Sequence, residues 1–113
     1  MAKKVTFYIP LKDNQGNTRP QAQVAILDAI ERNFNGYSAQ AASLGAWYSP
    51  SEQKWVREPV RAVVVIVDPR YDTWLTPSRL NDKIQEVAHV IKRALDQKSV
   101  LVTTEEVDTY WIT

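Results

Sequence analysis

The sequence predicts an α+β protein of the ferredoxin-like class: a βαββαβ sandwich with an antiparallel sheet and two helices on one face. Three observations predict this class. The chain opens with alternating polar and apolar residues, two later segments carry apolar residues at helical spacing, and strand-like segments flank both of them. With 113 residues the chain has the size of one domain, and we assign residues 1–113 to it.

The first strand is predicted from strict alternation over residues 4–11, whose apolar members are Val5, Phe7, Ile9 and Leu11. The polar residues 13–17 that follow are typical of a loop. Thr18 and Gln21 have the spacing of a capping box, and Pro20 suits the first turn of a helix. The helix stripe is Val24, Leu27, Ile30 and Phe34. Gly36 is expected to end this helix in the left-handed conformation.

A hairpin is predicted next, with strands over residues 37–48 and 55–67. Gly45 indicates a bulge or a close backbone approach in the first of them. Pro59 marks an edge or an irregularity in the second. Thr76 and Pro77 then cap and open a second helix, whose stripe is Leu80, Ile84, Val87, Ile91 and Leu95. A fourth strand is predicted over residues 100–103, and residues 107–112 continue it or form a short fifth strand.

The strand at residues 62–67 is apolar on both faces, which a sheet covered by helices on one side does not need. Two helices of this topology lie on the same side, so something else should cover the second face. We expect a second copy of the chain to do so, in a homo-oligomer of which a homodimer is the simplest form. The expected interface comprises Val63, Val65 and Val67, with Tyr8 on the same face. The alternative is that the hairpin or the C-terminal segment folds over this face.

Composition excludes several classes of function. Lys and Arg number 14 and Asp and Glu 13, so the net charge of +1 argues against a dedicated nucleic-acid or membrane-surface binder. The absence of Cys excludes thiolate chemistry, and the single His89 falls opposite the apolar stripe of its helix. No phosphate loop or metal motif is present, so we expect no cofactor and no metal. Without a targeting or membrane-spanning segment, a cytoplasmic location is expected.

Glu58 is the candidate for chemistry, because regular strand geometry places it on the same face as Val56 and Val60. A carboxylate on an apolar face needs a partner. It either forms a structural salt bridge or turn cap, or it binds a ligand or transfers protons with a raised pKa. Tyr8, Trp47 and Arg61 are the other candidates for ligand binding. The four tryptophans are better explained by core and interface packing than by stacking on RNA bases, since the apolar strand carries no aromatic residue.

Residues 36–38, 45–47, 57–58 and 97–101, which read GYS, GAW, RE and QKSVL, carry a resemblance. From Gly36 onward the chain resembles a small family of short bacterial α/β proteins that is known only as a domain of unknown function. The resemblance implies the ferredoxin-like fold and implies no reaction. It draws attention to Gly45, Trp47, Glu58, Gln97 and Ser99.

Three functions remain open at this point. The leading hypothesis is a homo-oligomeric module that binds a small molecule or a protein without catalysis. The second is a small cofactor-free enzyme of the dimeric α+β-barrel kind, with Glu58 as base and Arg61 or Tyr8 holding the substrate. The third is a nucleotide-sensing regulator like the PII-type signalling proteins, which use the same topology.

Overall fold

The computed structural model describes residues 1–113 and confirms the ferredoxin-like class, with two helices on one face of an antiparallel sheet. In chain order the elements are β1 (Ala2–Pro10), α1 (Pro20–Asn33), β2 (Ser38–Ala39), β3 (Ser43–Ser49), β4 (Lys54–Val67), α2 (Pro77–Ala94) and β5 (Val102–Val107). The second predicted strand is therefore divided into β2 and β3. Gln40 still donates its N–H to the carbonyl of Ala62 at 2.9 Å, so the chain stays beside β4 through the break.

Strand β4 organises the sheet because its two halves have different partners. The strand order is β2-β4-β1-β5, and residues 60–67 of β4 pair with β1. Residues 54–60 pair instead with β3, without a bulge and with Leu44 opposite Pro59. We call residues 43–60 the hairpin arm. The molecule measures 45 Å along its longest axis against 28 and 27 Å along the others, in keeping with an extended element.

The core lies between the helices and one face of the sheet. Val5, Phe7 and Ile9 of β1 are at most 1% exposed and pack with Ile26 and Ile30 of α1 and with Val87 and Ile91 of α2. The other side of the sheet has no layer of secondary structure over it, and we call it the open face.

The predicted interface of Val63, Val65 and Val67 is wrong, since all three belong to this core. Directly opposed residues of antiparallel strands point to the same face, and Val63 lies opposite Phe7. This register turns the three valines toward the helices. The open face instead carries Ala62, Val64 and Ile66, with Tyr8 opposite Ala62.

Helix ends follow the sequence signals only in part. Thr76 Oγ1 accepts the N–H of Arg79 at 3.2 Å, and Pro77 opens α2 as predicted. Thr18 does not cap α1, whose cap position is Arg19 without a side-chain hydrogen bond. Gly36 has no positive φ. Helix α1 ends at Asn33, and Phe34 is extended, with its ring packed against Phe7. Neither helix combines the length and apolar character that crossing a membrane requires.

The C-terminal segment after β5 is held by one buried carboxylate. Asp68 accepts hydrogen bonds from Thr109 Oγ1 at 2.6 Å and from Trp111 Nε1 at 3.0 Å, and it pairs with Arg70 at 2.7 Å. The guanidinium of Arg70, with Thr109 and Trp111, holds the pKa of Asp68 well below its usual range. Residues 108–113 therefore lie against the loop after β4 and do not extend the sheet.

Candidate functional site

Glu58 lies on the open-face side of the hairpin arm, in line with Val56 and Val60, as the alternation of β4 predicts. Its Oε1 atom is buried and has no hydrogen-bond partner, and the carboxylate takes part in no ion pair. Burial raises the pKa of the Glu58 carboxyl above its ordinary value. The arginines of the same strand do not help, since Arg57 and Arg61 alternate to the other face. Glu58 is thus a carboxylate that the chain itself leaves uncompensated.

Space in front of this carboxylate comes from a glycine. Gly45 lies directly opposite Glu58 across the β3–β4 pair. A Cβ at Gly45 would lie 3.2 Å from Cγ2 of Val60 and 3.5 Å from Cζ3 of Trp47. The indole of Trp47 therefore reaches back over Gly45 toward Glu58. The bulge expected here is absent, and the atoms that come close to Gly45 belong to the side chains of Val60 and Trp47.

The second wall comes from the loop after α2. Asp96 adopts a positive φ of 50°, and Gln97 donates its N–H to the carbonyl of Lys92 at 2.9 Å, the pattern that ends a helix in a Schellman motif. The chain then runs alongside β1, where the carbonyl of Leu101 accepts the N–H of Tyr8 at 3.2 Å. This path brings Gln97 and Ser99 to the cavity beside Glu58.

The loop before α1 is fixed at the same end of the molecule. Asn14 donates its N–H to the carbonyl of Leu95 at 3.1 Å, which ties this loop to the end of α2. Within the loop, Asp13 accepts the N–H groups of Asn17 and Gln15 and the Nε of Arg19. The backbone bond from Asn17 is the largest of the causes that lower the pKa of Asp13. Both loops beside Glu58 are therefore anchored by backbone hydrogen bonds.

These elements enclose a groove with two lobes that meet at Trp47, Glu58, Gln97 and Ser99. The apolar lobe has a volume of about 490 Å³ and extends to Tyr8, Pro10, Leu44, Val60, Val100 and Leu101. The polar lobe has a volume of about 380 Å³ and extends to Asn14, Ser49, Ser51, Glu52 and Lys98. Each lobe lies in the size range of small-molecule sites. The uncompensated carboxylate of Glu58 stands at the junction.

The structure brings three of the four predicted ligand-binding residues to one cavity: Tyr8, Trp47 and Glu58 line the apolar lobe. Arg61 does not reach it, because it lies opposite Ile9 on the helix side of the sheet. All five positions that the family resemblance points to, Gly45, Trp47, Glu58, Gln97 and Ser99, line this lobe. Sequence reasoning missed Asn14 and Lys98 as lining residues. They sit on loops whose position follows from tertiary hydrogen bonds, and no local pattern marks them.

The chemistry available in the groove is that of one carboxylate between aromatic and amide groups. No group of three His, Asp or Glu side chains could hold a metal ion. His89 is exposed on α2 and is not among the lining residues. The arrangement can neutralise a cation beside Glu58 and can pack a flat ring against Trp47 or Tyr8.

Comparison with known proteins adds information on the fold. No family model matches the sequence, and no curated protein does. A phage SAM lyase, solved in complex with S-methyl-5'-thioadenosine, is similar in structure with a TM-score of 0.69 and 16% identity, over 93% of this chain and 81% of that chain. The divalent cation tolerance protein CutA1 of Thermus thermophilus gives a TM-score of 0.64 at 11% identity, over 97% of this chain and 87% of its own. CutA1 of Oryza sativa gives 0.64 at 12%, over 96% and 82%. At these identities the matches show a shared ferredoxin-like fold.

Proposed function

We propose that the protein binds a small organic cation that carries a flat aromatic group, and that this ligand belongs to the adenosyl sulfonium class, which S-adenosylmethionine represents. The observation that carries the proposal is the buried Oε1 of Glu58, which has no partner in its own chain. A partly desolvated carboxylate without a partner costs folding free energy. A bound cation would compensate that charge.

The surroundings of Glu58 favour an organic cation over a metal ion. Only one carboxylate faces the junction of the lobes, whereas hard divalent cations need several oxygen ligands. Trp47 and Tyr8 supply aromatic faces, which attract weakly hydrated cations and stack against purine rings. The SAM lyase with the similar fold was solved with an adenosine thioether, which supports the adenosyl part of the proposal.

The negative charge of Glu58 favours binding of the sulfonium without cleavage of its carbon–sulfur bonds. Cleavage of a carbon–sulfur bond of a sulfonium turns the charged sulfur into a neutral thioether. A carboxylate beside the sulfur therefore stabilises the bound ligand more than the transition state, which opposes the reaction. The enzyme alternative, with Glu58 as base, is tested by the release of S-methyl-5'-thioadenosine from S-adenosylmethionine. The PII-like alternative is tested with ATP, whose phosphates Glu58 would repel.

Isothermal titration with S-adenosylmethionine tests the proposal. The wild-type protein is expected to bind it, Glu58→Gln to bind it at least tenfold more weakly, and the exposed control Glu86→Gln to bind it as the wild type does. ATP should give no heat of binding. Failure of the wild-type protein to bind S-adenosylmethionine would refute the proposal, and accumulation of S-methyl-5'-thioadenosine over hours would replace it with the enzyme alternative.

We further infer that the protein is a homo-oligomer, in which a second copy covers the open face. Val64 is half-buried by its own chain, Ile66 is 38% exposed and Leu101 is 61% exposed on this face. Lys4 and Glu105 also lie there and pair with each other at 3.5 Å, so this ion pair adds no net charge to the face. Sedimentation velocity is expected to show a dimer or larger assembly that Val64→Asp dissociates. A wild-type monomer at micromolar concentration would contradict this inference.

A further inference from the structure

The groove has a second half whose chemistry the junction at Glu58 does not use. On the far side of Trp47 and Glu58, the polar lobe contains Lys98 and Glu52 together with the side chains of Asn14, Ser49 and Ser51. A purely apolar or purely aromatic ligand would fill the apolar lobe and leave these groups unused. The side chains of the polar lobe therefore indicate the chemistry of a second part of the ligand.

Lys98 is an exposed cation that forms no ion pair within the chain. Glu52 has only a loose pairing with Lys54, at 3.9 Å, and its side chain is 47% exposed. A positive and a negative side chain thus line the same lobe with their charges largely available. Opposite charges in one small cavity complement a zwitterion, and the charged ends of an α-amino acid, a carboxylate and an ammonium, have that pattern.

The anchoring of the loops supports a built subsite. Lys98 follows Gln97, whose N–H closes the end of α2 and whose Nε2 donates to the carbonyl of Leu95 at 3.2 Å. Asn14 donates its backbone N–H to that same carbonyl at 3.1 Å. Two separate loops are thereby held against one carbonyl of the chain. The wall of the lobe that carries Asn14 and Lys98 is therefore anchored, and less entropy is lost when a ligand binds against it.

On this basis we propose that the polar lobe is an amino-acid subsite, in which Lys98 pairs with the α-carboxylate of the ligand and Glu52 receives its α-ammonium group. This rests on the proposed function and deepens it: the groove holds the adenosyl group in the apolar lobe, the sulfonium at Glu58 and the amino-acid tail in the polar lobe. Lys98 is then a specificity-determining residue that selects ligands with the tail over ligands without it.

Three probe ligands separate the two charges of the site. S-adenosylmethionine has both the sulfonium and the amino-acid tail. S-adenosylhomocysteine keeps the tail and has a neutral sulfur, and S-methyl-5'-thioadenosine has neither the tail nor the charge. Dissociation constants for the three are measured by titration on the wild type, Lys98→Gln, Glu58→Gln and the matched control Lys92→Gln, an exposed lysine of α2 outside the groove.

Lys98→Gln is expected to weaken S-adenosylmethionine and S-adenosylhomocysteine by roughly fivefold each, the scale of an exposed ion pair, and to leave S-methyl-5'-thioadenosine unchanged. Glu58→Gln should weaken S-adenosylmethionine alone, and Lys92→Gln should change none of the three. The subsite is overturned if S-adenosylhomocysteine binds no more tightly than S-methyl-5'-thioadenosine, or if Lys98→Gln affects all three equally. If none of the three binds to the wild type, the proposed function itself fails.

Discussion

The two faces of β4 have nearly the same composition but differ in how far their side chains are buried. On one face Val63, Val65 and Val67 are at most 1% exposed beneath the helices. On the other face Ala62 and Val64 are half-buried and Ile66 is 38% exposed, with no helix above them. The side chains do not distinguish these faces. What distinguishes them is the pairing of β4 with β1, which aligns one set with Phe7 and the other with Tyr8.

This difference in burial shows which side of the sheet is available to bind a ligand. On the helix side the apolar face of β4 is buried in the core, so these valines are not available to a ligand. The open face continues from Ile66 and Val64 past Tyr8 into the groove, where Glu58 stands on the same side of the same strand. Apolar surface and an uncompensated charge on one continuous face are features that the folded chain does not need for itself.

The largest effect should come from placing the same charge on either face of β4. Val65→Asp puts a carboxylate into a fully buried position without a partner, and a cost above about 4 kcal/mol is expected. That loss is comparable with the whole stability of a small domain, so the variant should be largely unfolded. Val64→Asp should remain folded, with a loss of about 1–2 kcal/mol. Circular dichroism and urea titration measure both.

Equal damage from Val64→Asp and Val65→Asp would contradict the assignment of the core face. A folded Val65→Asp variant would contradict it directly. Because self-association also stabilises a fold, the comparison should be repeated at several protein concentrations, and the loss in Val64→Asp should shrink as the protein is diluted.

The sequence predicts the class of the fold but not the roles of the two faces. Helical spacing at Leu80, Val87 and Ile91 and alternation at Val5 and Phe7 identify elements, because each periodicity belongs to one type of backbone. In residues 62–67 both faces are apolar, so periodicity cannot say which one meets the helices. That choice depends on the register between β1 and β4, which is a long-range property.

The residues of the candidate site also divide into those that a local sequence pattern predicts and those that long-range contacts place. Glu58 is visible in the sequence because a carboxylate interrupts an apolar face of a strand, and the direction of its side chain follows from alternation alone. Asn14 and Lys98 are not visible, because their loops are placed by the hydrogen bond from Asn14 to Leu95 and by the end of α2. The prediction that Arg61 binds the ligand together with Glu58 is wrong, since Arg61 lies opposite Ile9 on the helix side.

Two carboxylates of β4 and the loop after it differ in the same way: Asp68 has hydrogen-bond partners, whereas the buried oxygen of Glu58 has none. Asp68→Asn should lower the urea midpoint and release the C-terminal segment, because Thr109 and Trp111 lose a charged acceptor. Limited proteolysis should then cut after residue 108 in the variant, while the exposed control Asp28→Asn stays resistant.

The lowered pKa of Asp68 determines how the stability of the protein changes with pH. The folded pKa of Asp68 is depressed, so its contribution to stability is present above the unfolded pKa and is lost as the pH falls through the folded value. The wild type should therefore lose stability below about pH 4, the ordinary pKa of aspartate. Asp68→Asn should lose less over that range, and parallel acid curves for the two proteins would contradict this account.

Glu58→Gln should have a smaller effect on stability, and of opposite sign. Burial raises the folded pKa of Glu58, so the folded state holds its proton more tightly than the unfolded chain does. The stability linked to this group is complete below the unfolded pKa, near 4.5, and is lost as the pH rises through the raised folded value. At pH 7 the variant should be more stable than the wild type by less than about 1 kcal/mol, since the group is partly exposed. Urea midpoints at pH 4 and pH 7 measure the difference, and Glu86→Gln should show none of it.

The smallest expected effect tests whether the open side of the arm is shaped for a ligand. A Cβ at Gly45 would lie 3.2 Å from Cγ2 of Val60, and Val60 is only half-buried, so its side chain can shift by the few tenths of an ångström required. Gly45→Ala should therefore change the free energy of unfolding by less than about 1 kcal/mol, since alanine also suits a strand better than glycine. The added methyl group fills space directly opposite Glu58, and the affinity for S-adenosylmethionine should fall about threefold or more, while Ala39→Ser in β2, which lines neither lobe, should leave it unchanged. An unchanged affinity in a folded Gly45→Ala variant would mean that the ligand does not occupy the space between Gly45 and Glu58. That result would contradict the proposal that the groove is the ligand site.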